Sequence, residues 1–401
     1  MLWSLGLRAL FTMSKRLILF AASRDQARYF EALTQHVSLM GKQVLAVKSS
    51  QIPFAFQALF KVFLPLPLNV LEAIEHQVCI LQNRKKASRK GRGKAQWFWS
   101  LFGFVETLRA KYLFGRYSLW IADNKDALIG VWNGKKFRQA ILVIAAQQQK
   151  VPLVFFETGP LPGYSVVDPE GVDFYAATPR RIDFYKQYQC RLKPEEQLKF
   201  EPVKKSQDLP ESYIFIPFQV VEDSNIYLHS PWIKDMRALY SEIEALAEKF
   251  SHQQFVIKPH PACPEDYTDI IDKHHPQIHF VLDKPTIELV QHAEAVITVN
   301  STVGMEALIA HKKVIVMGQA IYGFEGLTQP VSKQSELIQA LGELETWQLD
   351  ESAVNNYLCY LQEDYAIPGD AMKGPTDEHW AVLSKKLQLC LDGQAYQSIG
   401  L

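Results

Sequence analysis

Apolar runs of strand length alternate with helix-length segments along most of the chain. In the first half the apolar runs are RLILFAA, VLAVKS, SLWIAD and VPLVFFE, and a helical pattern, RDQARYFEALTQHVSLMGK, follows the first of them. A second helix is predicted near residues 136–149. Short apolar runs that alternate with helices are typical of buried parallel strands in βαβ units. The pattern therefore predicts an α/β fold.

The alternation begins again after the polar, charged stretch 193–211. A helix is predicted over 233–250, another over STVGMEALIAH, and the apolar runs are SYIFIPFQV, QFVIKPH, IHFVL, AVITVN and KVIVMG. We place a domain boundary near residue 205 and predict two Rossmann-like domains, 1–205 and 206–345, that face one another across a cleft. Residues 346–401 hold two more helical patterns, which we expect to pack back on the first domain. No repeat of fixed period is visible.

The composition is compatible with two globular domains and excludes some classes of binding partner. The chain has 401 residues, of which 48% are hydrophobic and 21% charged, so it is too long for one ordinary core. Its formal net charge is zero, and no RNP-type motif is present, so nucleic acid is not an expected partner. The five cysteines are scattered without CxxC spacing, which predicts neither a disulfide framework nor a zinc site and favours a reducing cytoplasm.

The amino-terminal residues are apolar but interrupted by Arg8, Lys15 and Arg16. No uninterrupted apolar run of about 18 residues occurs, so no membrane span is predicted. A signal peptide is disfavoured because KRLILFAAS reads as the first core strand. Met1 and Met13 are both candidate starts.

Residues 84–104 form a basic and aromatic insertion. RKKASRKGRGK contains seven basic residues and no acidic one, and WFWSLFGF follows it. One interpretation is a solvated loop before a core helix. The other is a contact with anionic membrane through Arg89, Lys90 and Arg92, with Trp97 and Trp99 at the interface. The upstream PFAFQALFKVFLPLPL adds apolar surface of the same character.

Polar residues follow the predicted strands of the second half. Asn300, Ser301 and Thr302 lie where a strand ends and a helix begins, a corner that suits phosphate, although a plain helix cap explains them equally well. Glu306 lies one turn further and is either a ligand of ribose hydroxyls or a surface glutamate. In FVIKPHP, prolines flank His260 and restrict its backbone, so Lys258 and His260 offer two donors to an anionic leaving group.

Carboxylates end one strand in each half. Glu157 follows VPLVFF and borders a glycine and two prolines, so partial desolvation would favour its protonated form and suit a general acid or base. A helix cap or a domain-interface ion pair is the competing explanation. Glu222 and Asp223 end the first strand of the second half, and two carboxylates across a cleft resemble the pair of a retaining glycosyl transfer.

Several motifs are absent from the sequence. There is no P-loop, no GxGxxG after the first strand, no HExxH and no convincing DxD-like pair. We therefore expect no metal ligands, no cofactor and a metal-independent reaction.

Four segments taken together resemble the bacterial capsule polysaccharide synthesis family, whose members are β-Kdo glycosyltransferases that use CMP-Kdo. They are FFETGPLPG, FIPFQVVEDSNIYLHSP, FVIKPHP and VITVNSTVGMEALIAHKKVIVMGQAIYGFEGLT. The resemblance is strong over residues 150–330, whereas before them only the βα rhythm agrees. It implies a GT-B-like pair of domains, with CMP held mainly by the second.

The resemblance also implies residue roles. Lys258 and His260 would contact the phosphate, and Ser301 and Thr302 would complete that pocket. Asp223 would be the nucleophile of a retaining transfer, with the adjacent Glu222 as the alternative, and Glu157 the acid/base toward the acceptor.

The implied setting is capsule or lipopolysaccharide O-antigen assembly. The implied partners are CMP-Kdo, a glycan or lipid-linked acceptor such as Kdo-bearing phosphatidylglycerol, the anionic inner face of the cytoplasmic membrane and other polysaccharide-assembly proteins. The expected localisation is cytoplasmic and peripheral to that membrane. A CMP-sialic acid transferase of the same architecture, a non-catalytic assembly scaffold and an epimerase acting on UDP-sugars stay open as alternatives.

Overall fold

The chain folds into two α/β units, and unit 1 is assembled from separate stretches of sequence. The computed structural model describes residues 16–393 except 38, 40, 41, 89, 90, 92, 222 and 264. Unit 1 comprises residues 1–85, 91–178 and 364–401, and unit 2 comprises 86–90 and 179–363, with the undescribed positions left aside.

Each unit contributes one sheet and a set of helices. The strands are β1 Arg16–Ala21, β2 Gln43–Lys48, β3 Ala127–Trp132, β4 Leu153–Thr158, β5 Tyr164–Asp168, β6 Ile214–Pro217, β7 Phe255–Lys258, β8 Ile278–Phe280, β9 Ala295–Thr298, β10 Lys313–Val316, β11 Gln329–Pro330 and β12 Ile367–Pro368. The helices are α1 Arg24–His36, α2 Phe56–Lys61, α3 Leu68–Ala87, α4 Gln96–Ala122, α5 Phe137–Gln148, α6 Ile182–Gln187, α7 Ser224–His229, α8 Met236–Lys249, α9 Thr268–Ile271, α10 Thr286–His292, α11 Val303–Ile309, α12 Gln334–Gly342, α13 Glu351–Tyr360 and α14 Asp377–Leu391.

The sheet of unit 1 has the order β12-β5-β4-β3-β1-β2. Strands β2, β1, β3 and β4 are parallel, with Ile18 opposite both Leu45 and Ile129. Strand β5 runs antiparallel to β4, and β12 runs antiparallel to β5. The inner strands β1 and β3 are almost fully buried, which explains their continuous apolar sequence.

The carboxyl-terminal segment completes unit 1. The hydroxyl of Ser165 in β5 donates to Gly369 O at 2.8 Å, and Tyr365 donates to the buried carboxylate of Asp168 at 2.9 Å. In α14, His379 Nε2 shares a hydrogen bond of 2.8 Å with the hydroxyl of Tyr29. These contacts confirm that a carboxyl-terminal helix packs back on the first domain. Helix α13, the other helix of 346–401, belongs to unit 2.

The sheet of unit 2 is parallel throughout and has the order β8-β7-β6-β9-β10-β11. Numbered along the chain within this unit, that order is 3-2-1-4-5-6, the arrangement of a Rossmann fold. One face of the sheet buries Ile216, Ile257 and Ile297 against Leu239 of α8 and Leu337 of α12. The predicted strands and helices of this half are confirmed.

One strand prediction for the first half was wrong, and one strand was missed. Residues 118–123, SLWIAD, are not a strand, because they form the end of the long helix α4 and its first following residue. The strand at this point of the sheet is β3, which the sequence interpretation missed. A short apolar run fits a buried helix as well as a buried strand, so the run alone does not distinguish them.

The boundary between the units also differs from the predicted one. It falls after Thr178 and again after Glu363, rather than near residues 205 and 345. Helix α6 packs against α13, with the ring centroids of Tyr185 and Tyr357 5.0 Å apart.

A disulfide joins Cys190 to Cys359 across 169 residues of sequence within unit 2, which corrects the expectation that no disulfide forms and removes the argument from the cysteines for a reducing cytoplasm. Cysteines so far apart in sequence give no spacing signal, so the sequence alone could not pair them.

Among the described residues, no helix is both long and apolar enough to cross a membrane.

Candidate active site

The strand order of unit 2 reverses between β6 and β9, and polar side chains gather there. The chain runs from β6 outward to β8 on one side and from β9 outward to β11 on the other. Pro217 is opposite Lys258, and Thr298 is opposite Val316, so the carboxyl ends of β6, β7, β9 and β10 lie at one edge. Parallel sheets bind ligands outside such an edge, at the point where the order reverses.

A buried amide pair links the loops that follow β6 and β9. Gln219 Nε2 donates to Asn300 Oδ1 at 3.0 Å, and Asn300 N donates back to Gln219 Oε1 at 3.2 Å. Asn300 Nδ2 donates further to Asn225 O at 3.0 Å. The side chain of Asn300 is thus engaged in holding this corner together, and its contact with a nucleotide stays a prediction.

Asp223 belongs to the same network. Its Oδ2 accepts from Gln219 Nε2 at 3.0 Å, and its Oδ1 accepts from Asn225 N at 2.9 Å, which makes it the N-cap of α7. Gln219 therefore connects two of the predicted site residues, Asp223 and Asn300. The alternative nucleophile, Glu222, lies outside the described residues.

His260 follows β7 at the same edge and is exposed. Its Nδ1 accepts from Ala262 N at 3.1 Å, so Nε2 is the nitrogen that carries the proton and can donate. Lys258 Nζ donates to the carbonyl oxygens of Lys284 and Leu282, the latter at 3.4 Å. An ammonium has three donors, so one remains for a phosphate.

The corner after β9 is fixed by a tyrosine. The hydroxyl of Tyr322 donates to Ser301 O, and Ser301 Oγ accepts from Val303 N at 3.2 Å. Gly304 is required here, because a Cβ at this position would collide with the Tyr322 ring. Ser301 Oγ thus accepts from the first residue of α11, whose N-cap is the exposed Thr302, and the contact of both residues with a phosphate stays a prediction. Burial raises the pKa of Glu306, one turn into α11.

Unit 1 holds Glu157 at the end of β4. Its Oε2 accepts from Asn133 Nδ2 at 2.8 Å, and its Oε1 accepts from Thr158 N at 2.9 Å. Asn133 has a positive φ of 40° and Gly134 one of 71°, so the chain turns sharply after β3 and aims the Asn133 amide at Glu157. Asn133 Oδ1 also accepts from Lys135 N at 3.0 Å, which locks the turn.

The surroundings of Glu157 raise its pKa above the usual value of a glutamate, which strengthens its carboxylate as a base. Burial raises its pKa, the carboxylate of Asp173 raises it further, and the bond from Asn133 opposes both. Lys135, which is almost buried, forms an ion pair with Asp173. The predicted desolvation of Glu157 is thus present, and a raised pKa suits an acid/base group.

Sequence reasoning missed four residues that shape these two clusters. Gln219, Asn133, Lys135 and Tyr322 touch or position the predicted residues. One signal was available, since Asn-Gly in WNGKK is typical of a tight turn. It was passed over because β3, just before it, was not recognised.

The predicted membrane contacts divide into three groups. Arg89, Lys90 and Arg92 lie outside the described residues. Trp97 is exposed, with 70% of its surface accessible, whereas Trp99 is buried at 5%. Trp99 is therefore not available to a membrane, because two residues along a helix place its ring on nearly the opposite face.

Among the described residues, no cluster of three or more His, Cys, Asp or Glu side chains is placed to hold a metal ion.

Comparisons with known proteins identify a matching family and several similar proteins. Residues 196–341 match the family described as capsule polysaccharide biosynthesis protein. Protein FixF of Sinorhizobium fredii is 33% identical over 263 residues, which cover 63% of each chain. The capsule polysaccharide export protein KpsS of Escherichia coli is 36% identical over 131 residues, which cover 30% of this chain and 33% of KpsS.

The chain thus spans less than two thirds of the length of both relatives. Among solved structures, the β-Kdo 2,7 transferase of Thermosulfurimonas dismutans KpsC aligns with a TM-score of 0.40 and 17% identity. That alignment covers 67% of this chain and 87% of the other.

Proposed function

We propose that the chain is a member of the capsule polysaccharide biosynthesis family, which residues 196–341 match, and that it is a glycosyltransferase of surface-polysaccharide assembly. We further propose that it moves Kdo from CMP-β-Kdo to a glycan or lipid-linked acceptor with retention of configuration. FixF and KpsS each match only part of this chain, so donor and acceptor are part of the proposal.

One observation carries the proposal. The matched region contains the point of strand reversal, and Asp223, His260 and Ser301 all follow strands whose carboxyl ends share that edge. A carboxylate and a donating imidazole at such an edge are what cleavage of a bond to a nucleotide phosphate requires, since one attacks carbon and the other stabilises the departing anion.

The proposed reaction has two displacements. An oxygen of Asp223 attacks the anomeric carbon of Kdo, the bond from that carbon to the phosphate oxygen breaks, and the electron pair leaves with CMP. His260 Nε2–H and Lys258 stabilise the phosphate, with Ser301, Thr302 and Glu306 completing the nucleotide site. The acceptor hydroxyl then attacks the same carbon, Glu157 takes its proton, and the Asp223 carboxylate is released. Two inversions give net retention.

The remaining assignments follow from this reaction. We expect neither a cofactor nor a metal requirement, because the leaving group meets protein cations. We place the enzyme at the inner face of the cytoplasmic membrane, where lipid-linked acceptors and other polysaccharide-assembly proteins would be its partners.

The donor is tested by incubating the purified chain with CMP-Kdo and a panel of Kdo- or hexosamine-terminated acceptors, with and without EDTA, and analysing products by mass spectrometry. We expect Kdo transfer in both conditions. Turnover of CMP-sialic acid alone would contradict the Kdo assignment, and a thermal shift with UDP but not with CMP would favour an epimerase. Binding of CMP without transfer to any acceptor would favour a scaffold.

The nucleophile is tested with Asp223→Asn. Asparagine still caps α7, so the fold and CMP binding should persist, while transfer should fall by at least about 10³-fold because the attacking carboxylate is gone. The measurements are initial rates with CMP-Kdo and CMP affinity by calorimetry.

The matched control is Asp235→Ala, which removes the corresponding N-cap of α8, where Asp235 Oδ1 accepts from Ala238 N at 2.8 Å. It should cost about 1 kcal/mol of stability and leave transfer unchanged. Undiminished activity in D223N would remove Asp223 from the mechanism.

A further inference from the structure

Exposed large apolar side chains are concentrated on two neighbouring segments of unit 1. Among the described residues, only Leu282 and Met372 are exposed apolar side chains of this size elsewhere in the chain. We call the concentrated set the α2–α4 face; its members are Phe54, Phe56, Leu59, Phe60, Phe63, Leu64, Leu68, Trp97, Leu101, Phe104 and Val105. Exposed apolar side chains concentrated in this way mark an interaction surface.

The two segments are held side by side. Helix α2 packs on α4, and the rings of Phe54 and Tyr112 lie 5.7 Å apart. Arg116 of α4 donates to the carbonyl oxygens of Pro53, at 2.9 Å, and Ile52. The loop that leads into α2 is therefore anchored to α4 by hydrogen bonds, so the α2–α4 face is a built surface.

Helix α4 is two-faced in its first three turns. Trp97, Leu101, Phe104 and Val105 follow the spacing i, i+4, i+7, i+8 and form one exposed stripe. Trp99 is turned inward, and Gln82 Nε2 of α3 donates to its carbonyl oxygen at 2.6 Å. The exposed stripe thus lies opposite the side that α3 covers.

The charged residues within the two sequence segments that carry the α2–α4 face are all basic. No Asp or Glu occurs in residues 49–71 or 84–105, whereas Arg84, Lys85 and Lys86 end α3 and Lys94 lies just before α4. Lys94 Nζ lies 3.9 Å from the centroid of the Phe98 ring. Large aromatic side chains beside cations, without carboxylates, match the headgroup region of an anionic bilayer.

We propose that the α2–α4 face is a membrane-docking surface that rests in the headgroup region of an anionic phospholipid bilayer. A second copy of this chain would bring the same positive charge to the same face, and like charges oppose such pairing. This inference concerns residues outside the proposed transferase site and does not depend on the sugar donor.

The test is co-sedimentation of the full chain with vesicles of phosphatidylglycerol and phosphatidylethanolamine, compared with pure phosphatidylcholine. The variant is Phe60→Asp with Phe63→Asp, and the matched control is Leu282→Asp, since Leu282 and Phe60 are both 64% exposed. We expect wild type and L282D to bind the anionic vesicles. F60D/F63D should bind at least about tenfold more weakly, because two aromatic anchors are replaced by charges that the lipid repels.

Two further readouts separate a lipid surface from other occupants. Bromine-labelled lipids should quench fluorescence of the wild type more than that of Trp97→Phe. Raising the salt from about 0.1 M to about 1 M, which shortens the Debye length from about 10 Å to about 3 Å, should weaken binding. Equal binding by wild type and F60D/F63D would overturn the proposal. The proposal would also be overturned if the wild type formed a dimer and did not bind vesicles, and if F60D/F63D were a monomer.

Discussion

At the scale of residues, the two carboxylates of the proposed reaction have different surroundings. Asp223 accepts from a backbone N–H and from Gln219, as a helix cap does. Glu157 accepts from Asn133 and Thr158 but is held in a less hydrated place near Asp173, and its pKa is raised. Different environments let two chemically similar groups take the different roles that we propose for them.

Glu157 makes stability depend on pH in a direction that can be tested. Because its pKa in the folded protein is above that of the unfolded chain, the folded protein binds this proton more tightly. The resulting stability is complete below the unfolded pKa and is lost as the pH rises through the folded pKa. Glu157→Gln has no proton to lose, so its Tm should exceed that of wild type at about pH 7.5 and match it at about pH 4.

Thermal unfolding across this pH range is the measurement. Glu211→Gln, at an exposed glutamate, controls for the change in net charge and should show no such divergence. If E157Q is the less stable protein at neutral pH, the carboxylate is stabilised by its neighbours and the acid/base assignment loses its physical basis.

At the scale of elements, the sequence predicted unit 2 better than unit 1. Every strand of unit 2 except the short β11 has its own apolar run, and the predicted helices between them are bounded by polar residues, so the period of the pattern identifies them. In unit 1, α4 carries apolar side chains on nearly every face because part of it is buried and part is the exposed α2–α4 face. The end of α4 was therefore predicted to be a strand, and β3 was not predicted.

The site shows the same division. Residues in the loops that follow strands, such as Asp223 and His260, could be proposed from the sequence because the carboxyl ends of parallel strands share an edge, although β6 ends at Pro217, earlier than expected. Gln219 and Tyr322 could not, because their roles depend on contacts between loops that are far apart in sequence. Trp99 was misplaced because composition does not tell which face of a helix is buried.

The Cys190–Cys359 disulfide leads to a prediction for α6 and α13. It closes a loop of 169 residues, so its loss through Cys190→Ser or through reductant should destabilise unit 2 by about 2–5 kcal/mol. Denaturant unfolding measures this change. Cys79→Ser, at an exposed free cysteine, should have no effect.

Thiol counting checks the premise independently. In the denatured, unreduced protein the thiols of Cys79, Cys263 and Cys390 should react with a thiol reagent, and all five cysteines should react after reduction. Five reactive thiols before reduction would show that the protein does not carry this disulfide.

At the scale of the whole molecule, the chain leaves unit 1, builds unit 2 and returns. The return supplies β12 and α14, and with them Tyr365 against Asp168, and Trp380, whose ring stacks on Tyr29 at 5.4 Å. Unit 1 thus depends on residues distant in sequence, whereas apart from the short stretch 86–90 unit 2 is one continuous stretch, 179–363.

Truncation after Glu363 should therefore affect the units unequally. Unit 1 should become sensitive to proteases because β5 loses its neighbour, while CMP should still raise the melting temperature of unit 2. The graded control, Tyr365→Phe, removes one hydrogen bond and should cost about 1 kcal/mol without exposing new cleavage sites. Loss of the CMP effect together with cleavage throughout the chain would show that unit 2 needs unit 1 to fold.

The return of the chain to unit 1 also sets an order of events on the ribosome. Unit 2 is completely synthesised while β5 is still an open edge, since β12 and α14 are translated later. Throughout that interval the nascent protein presents unpaired backbone N–H and C=O groups next to the apolar strands of its first sheet. The half that is made first is therefore the half that finishes last, and it is the one that would need a chaperone during translation.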